Sequence, residues 1–321
     1  MNPKFRSWLI IGVGLTFLIT ACGGDGIEPP TPFDTPPPNL TMTAIFAPTQ
    51  DIQATATGQV VATATPDQIE LLPTATEVLE TPTLELPTSE PTSTPATEIS
   101  YAGPGARTGT SVSAFYFSSP PRIDSELSDW NLNLIPVYHV VYGSSAHDGE
   151  DDLYATMMLG WDNSYLYLGI RVKDEKYVQY ATGIDIFKGD SLEVLIDTNV
   201  SGDYYLARLS NDDFQLGISP GSTNPGQNPE AYLWYPYSLS GSRDQVRIAA
   251  QKTTQGYQIE VAIPWSTFGI DPCEGHHYGF AFSVSDNDVQ GRKLQESMIS
   301  NVPTRALTDP TTWGDLVLVN P

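Results

Sequence analysis

Apolar side chains recur at every second position in several segments of the C-terminal two thirds of the chain. In Tyr165–Lys173, Leu166, Leu168, Ile170 and Val172 share one face, while Tyr167, Arg171 and Lys173 share the other. Ser191–Asp197, Tyr257–Ile263 and Phe280–Ser285 alternate in the same way, and Leu316–Val319 supplies a last apolar run. A period of two predicts half-buried strands, and the Gly, Asp, Asn and Pro clusters between them predict turns. No segment carries a 3.6-residue period over three turns. Pro264–Phe268 predicts one short helical turn, ended by Gly269. The pattern implies an all-β fold, a two-sheet antiparallel β-sandwich of jelly-roll type.

The N-terminal third reads differently. Lys4 and Arg6 precede an apolar run from Trp8 to Ala21. Spanning a bilayer takes about 20 apolar residues, and a run this short matches a signal-peptide core. The run ends Leu18-Ile19-Thr20-Ala21-Cys22, then Gly23-Gly24-Asp25. This resembles the lipobox of bacterial lipoproteins, which implies cleavage after residue 21, lipidation of Cys22, and an exported protein held to a membrane and displayed at the cell surface. Several acyl chains together anchor durably, at about 0.8 kcal/mol per buried methylene. With Cys22 so used, Cys273 reads as a small apolar loop residue, and neither a disulfide framework nor a cysteine metal site is expected.

Residues 22–108 are rich in Thr and Pro, with Arg107 their one base. Such a tract cannot bury enough apolar surface to offset its ordering entropy, which predicts a disordered acidic stalk. Extended at up to ~3.1 Å per residue, it would reach on the order of 200 Å. Residues 109–321 hold every tryptophan except Trp8 and form one domain of comfortable size. The formal net charge of −23 repels nucleic acid and suits neutral partners or divalent cations.

Six segments, in order, carry a resemblance. They are Pro121–Trp130, Trp161–Tyr167, Lys188–Asp197, Gly256–Trp265, Gly279–Asp288 and Asp309–Leu316. Together they resemble the family 9 carbohydrate-binding module and its DOMON-like relatives. The resemblance implies a β-sandwich that binds poly- or oligosaccharide without catalysis, in some members with calcium, and often within glycoside-hydrolase systems. It also places ligand residues. Phe187 and Leu307 stand where the family has tryptophans, Glu193 matches its ligand-facing glutamate, and Arg208 matches an arginine on the neighbouring strand. Glu193 and Arg208 read equally as a plain salt bridge. Trp234, within the Tyr232–Tyr237 aromatic run, is a candidate replacement platform or a core ring. Trp130, Trp161, Trp265 and Trp313 read as core plugs beside turns.

No cofactor is required by this reading. Calcium, which takes six to eight oxygen ligands, would fit Asp197, Asn199 and Asp203, whose spacing alternates through a turn. His147–Asp152 and Asp286–Asp288 are further oxygen-rich turns, or solvated loops. Two enzyme motifs match by letters only. Gly217–Gly221 spells G-x-S-x-G, but Pro220 lacks the N–H that the oxyanion needs. Gly189–Leu192 spells the signature of GDSL esterases but opens a mid-domain strand. A module that has lost sugar recognition and serves as a protein-contact scaffold is the alternative, followed by a glycosidase and a haem-holding relative.

Overall fold

The computed structural model describes residues 100–320. The predicted signal peptide, Cys22 and nearly all of the predicted stalk lie outside the described residues.

Fourteen strands follow in chain order: β1 Ser111–Tyr116, β2 Ile135–Val137, β3 His139–Tyr142, β4 Leu153–Trp161, β5 Tyr165–Asp174, β6 Ser191–Asp197, β7 Asp213–Ser219, β8 Glu230–Tyr235, β9 Gly241–Ser242, β10 Arg247–Thr253, β11 Gly256–Pro264, β12 His277–Asp286, β13 Ser297–Ser300 and β14 Gly314–Val319. They pair in the order β10-β11-β5-β4-β1-β14-β12-β6-β7-β8-β9, with β2 added to β4, β13 to β12 and β3 to β13. The predicted strands are all present. Helix is confined to single turns such as Trp265–Thr267, which Gly269 (φ 67°) terminates as expected.

The two sheets of the sandwich are edges of one curled ladder. β10, β11, β5 and β4 form the first half and β12, β6, β7 and β8 the second, and both halves are antiparallel. β1 links them and is parallel to both neighbours, through Phe115–Gly160 and Tyr116–Trp161 to β4 and through Ser111–Phe115 to β14. Local alternation carries no information on such pairings, because the partners lie far apart in sequence. Between the halves sits one apolar interior, to which Met157, Leu168, Ile170, Val194, Leu216, Ile259, Phe280, Phe282 and Leu318 contribute fully buried side chains. The four tryptophans read as plugs are buried, each with a partner for its indole N–H: Trp130 donates to Glu260, Trp161 to the Val319 carbonyl, Trp265 to that of Asp162 and Trp313 to that of Ala306.

The domain also holds the end of the predicted stalk. Gly103 donates to the Ser201 carbonyl at 3.1 Å, and Tyr205 donates to that of Tyr101 at 3.1 Å. Arg107 is 6% exposed and pairs with Asp197 at 2.7 Å. A buried charge with a good partner is kept, whereas an unpaired one is strongly unfavourable.

Two groups of acids lie at opposite ends of the ladder. One, at the junction end, comprises Asp197, Asp203, Asp212 and Asp213. The other comprises Asp152, Asp174, Glu175, Asp286 and Asp288. Burial first, then repulsion from neighbouring carboxylates, pushes Asp203 up to about 7 and Asp213 to about 9. The same causes push Asp174 to about 6, Asp286 to about 8 and Asp288 to about 7.

Two predictions follow from this packing. At Gly160 an added Cβ would stand 2.0 Å from the Phe117 ring, whereas at Gly105 it would meet nothing within 4 Å. Gly160→Ala is therefore expected to lower stability by about 1–3 kcal/mol through overpacking, and Gly105→Ala to change little, in urea melts. The second concerns pH. Carboxyls raised in the folded state bind more protons there than in the unfolded chain, so stability falls as pH rises from the unfolded value near 4 through the folded values. In chelator, the melting temperature is expected to fall between about pH 5 and pH 9; a flat or rising profile would contradict these shifts.

Candidate ligand-binding site

The second half has one face on the core and one turned outward. Cross-strand register sets an outward row, Ser300–Ser283–Glu193–Gly217–Tyr232, running across β13, β12, β6, β7 and β8. A second row beside it runs Ala281–Leu195–Gln215–Tyr235. Alternation does place Glu193 opposite Leu192 and Val194, away from the main interior, as the sequence predicts.

Glu193 is nevertheless 4% exposed, because Arg305 reaches over it from the loop that precedes β14 and forms a buried ion pair. Burial pulls the Arg305 guanidinium down to about 10, which leaves it charged at neutral pH. Around this pair three buried polar atoms have no partner among the described residues: Arg305 Nε, Ser283 Oγ and Asn301 Nδ2. Asn301 Oδ1 accepts from the Phe282 N–H at 2.8 Å, which fixes that side chain beside the row. Hydrogen-bonding groups that lie along one row and lack partners suit a ligand rich in hydroxyls.

The expected partner of Glu193 was Arg208. Arg208 instead lies exposed in the irregular segment after the single helical turn Val200–Asp203 and makes no ion pair among the described residues. Tyr205–Leu209 forms no strand, because that turn and the Arg107 contact to the Tyr204 carbonyl at 2.5 Å hold the backbone away from β6. Arg305 stands in a loop without periodicity. Its one sequence signal is its place just ahead of the Asp309-Pro310 motif.

The expected rings are covered. Phe187 is buried, with the Trp234 ring edge-on at 6.1 Å and the Lys188 ammonium 5.3 Å from its centroid. Trp234 is 8% exposed and lies against Gly217, where any Cβ would come within 2.2 Å of the indole; its N–H donates to the Ile184 carbonyl. Trp234 therefore fills the space left by glycine and offers no open face. Leu307 packs against Leu195, Ala281, Val302 and Trp313, and its carbonyl accepts from Gln215 Nε2 at 2.8 Å. Just beyond β8, Tyr237 is 54% exposed with Tyr235 edge-on at 5.1 Å, and Tyr232 and Tyr235 in the two outward rows are half-buried.

For a cation, the first acidic cluster brings Asp197 and Asp203 together with Asp212, carboxylate oxygens within 4.8 Å of one another. Asn199 Oδ1, between Asp197 and Asp203 in sequence, accepts from Ser201 Oγ at 3.4 Å. Asp197 Oδ1 is used by the Asn199 N–H at 2.9 Å and Oδ2 by Arg107, so a guanidinium already supplies positive charge there.

The family model described as "Carbohydrate family 9 binding domain-like" matches residues 123–321. The chain is 26% identical over 225 residues to endo-1,4-beta-xylanase A of Thermoanaerobacterium saccharolyticum, and 26% identical over 201 residues to that of Thermotoga maritima. The matches cover 69% and 62% of this chain but only 17% of each xylanase, so the similarity spans about a sixth of those proteins. A family 9 carbohydrate binding module from Caldicellulosiruptor kristjanssonii, solved in complex with cellotriose, is similar in fold with a TM-score of 0.50 at 20% identity, over 66% of this chain and 95% of that one. With the match extending from Ile123 through the last strand, this chain belongs to the carbohydrate family 9 binding domain-like family.

Proposed function

We propose that the domain is a non-catalytic module that binds poly- or oligosaccharide on the outward face of β6, β7, β8, β12 and β13. The carrying observation is that Arg305 Nε, Ser283 Oγ and Asn301 Nδ2 are all buried and unpartnered among the described residues, on or beside the row that holds the Glu193–Arg305 pair. Planar charged groups and hydroxyls of this kind take up sugar hydroxyls, and Tyr237 at the rim provides a ring for the apolar face of a sugar. The relatives support the reading: the neighbouring module was solved with cellotriose, and the xylanases share this part of their sequence with the chain. In the same proposal the chain is exported, carried on lipid at Cys22 and a stalk, and holds glycan near the cell for a separate hydrolase. No reaction is assigned to the domain.

One observation favours a second reading. The rings at the two family tryptophan positions are replaced or covered, by Leu307 and by the burial of Phe187, so stacking there is lost. A domain so altered would contact protein instead of sugar.

A glycan array followed by calorimetry on the full chain separates the two. Binding to β-linked glucan or xylan oligomers is expected. Ser283→Ala should weaken it by about 0.5–1.5 kcal/mol, the worth of one hydrogen bond, without altering the melting temperature. Tyr237→Ala should weaken it also. Absence of binding to every glycan would remove the carbohydrate reading and leave the scaffold.

A further inference from the structure

We propose that the band 134–142, along the side of the sandwich, is a self-association surface on which a second copy of this chain docks, its β3 antiparallel to β3. The band crosses from the first half, where β2 pairs with β4, to the second, where β3 pairs with β13. Ile135 packs on the main interior and Val137 is fully buried, as inward positions should be. The positions between them are apolar too. Leu134, Tyr138, Val140 and Tyr142 are 36–54% exposed, and Pro136 is exposed with them. The Tyr138 ring lies 4.1 Å from that of His139, so the band also presents aromatic surface. Outward positions of a solvated strand are ordinarily polar. A single exposed apolar residue needs no explanation, but five at alternate positions of one segment form a patch that marks an interaction site.

The backbone points to the form of the contact. β3 pairs with β13 on one side, and among the described residues no strand lies on the other. Nor do His139–Tyr142 make a backbone-to-backbone hydrogen bond outside that ladder among the described residues. Exposed edges are usually blunted by charges, above all lysine. Here residues 130–147 hold no Asp, Glu, Lys or Arg. Antiparallel pairing about a two-fold axis at Val140 sets Val140 opposite the partner's Val140 and Tyr138 opposite the partner's Tyr142. Aromatic and β-branched pairs across strands are stabilising ones. Val141 is an extra residue in β3 opposite the step from Ile299 to Met298, and this bulge, with the shortness of the strand, limits the pairing to one mate. A two-fold contact uses the same patch on both copies and closes at two.

Charge selects the occupant. Each copy has a net charge of −23, so two copies repel over most of their surfaces. The uncharged band lets them meet without bringing like charges together. An anionic membrane surface is repelled by the same net charge, and the band has no base to hold it. Leu134, Pro136 and Val140 offer a sugar neither a π-face nor a hydrogen bond from the side chain. A dimer joined at β3 would continue the second-half sheet through both copies and carry two outward faces. That bivalence, which rests on the glycan reading above, would raise avidity for a long chain. The dimer itself does not rest on it.

The test follows the full chain by sedimentation velocity over a range of concentrations, with amide hydrogen exchange in parallel. A species of twice the monomer mass is expected, growing as concentration rises. Added salt should favour it, because screening weakens repulsion between like-charged copies. Exchange at 138–142 should slow as the dimer forms, which separates this contact from association through any other part of the chain. Val140→Lys should abolish both the dimer and the concentration-dependent protection, with the melting temperature of dilute protein unchanged. Tyr142→Glu serves in its place should that variant fail to fold. Tyr205→Lys, at a ring 61% exposed at the junction end, should leave both signals intact. A monomer at every concentration in high salt overturns the proposal. So does a dimer without protection at 138–142, one that dissociates as salt is raised, one that persists in Val140→Lys, or one lost in Tyr205→Lys. Protection of 138–142 by a cello-oligosaccharide, at a concentration where the chain is monomeric, would assign the band to sugar and overturn it too.

Discussion

The threading of β1 between β4 and β14 is the constraint on which the rest of this domain depends. A twisted sheet that folds over on itself must still pair its edges, and the parallel strand Ser111–Tyr116 does this at one end. It brings the alternate rows of β4, β5 and β11 over those of β6, β7 and β12, so that a single interior is buried. It also requires Gly160, because the chain entering β2 lays Phe117 against that backbone. Once the junction is made, backbone hydrogen bonds close that end, and the outward face and the far end are left to side-chain chemistry.

On the outward face, the pair Glu193–Arg305 sets the character of the site. Burying two charges is repaid only by good geometry, and apolar residues of similar size would stabilise the fold as well or better. A buried pair is thus weak evidence for stability. Its value lies in holding charged, directional groups against the sheet, next to hydroxyl and amide atoms that the fold does not satisfy. The loop carrying Arg305 is anchored on both sides: Gln215 donates to the Leu307 carbonyl, and the Trp313 indole donates to that of Ala306. The guanidinium is consequently positioned by packing rather than by chance.

Most of the fold was legible because a half-buried strand writes its burial into the sequence with a period of two. Val194 and Leu195 are both fully buried, which alternation alone does not predict: Leu195 belongs to a smaller apolar cluster with Ala281, Val302 and Trp313 on the outward side. The site was less legible. Glu193 is legible through the resemblance, as the match to the family's ligand-facing glutamate, and alternation adds only that it faces away from Leu192 and Val194. Arg305 was missed, since loop residues carry no period, and Arg208 was chosen on the assumption of a strand that the turn at Val200–Asp203 prevents. The aromatic run was ambiguous for a related reason. The bulge between Gln215 and Leu216 leaves Trp234 without a partner in the register of β7 with β8 and buried, while Tyr237 stands exposed beyond the strand in the turn Tyr237–Leu239.

The two acidic ends differ in what their carboxylates meet. At the junction end, Arg107 lies at the boundary with the predicted stalk and is the one base of the 22–108 tract. It bonds Asp197 and the Tyr204 carbonyl and stacks 5.0 Å from the Tyr204 ring. A guanidinium with fixed directions suits a place where the chain itself must be held, because its bonds also dock the segment Tyr101–Arg107 on the domain. At the far end the acids come from both halves, and Asp174 Oδ2, Asp286 Oδ1 and Asp288 Oδ1 are buried without a partner among the described residues.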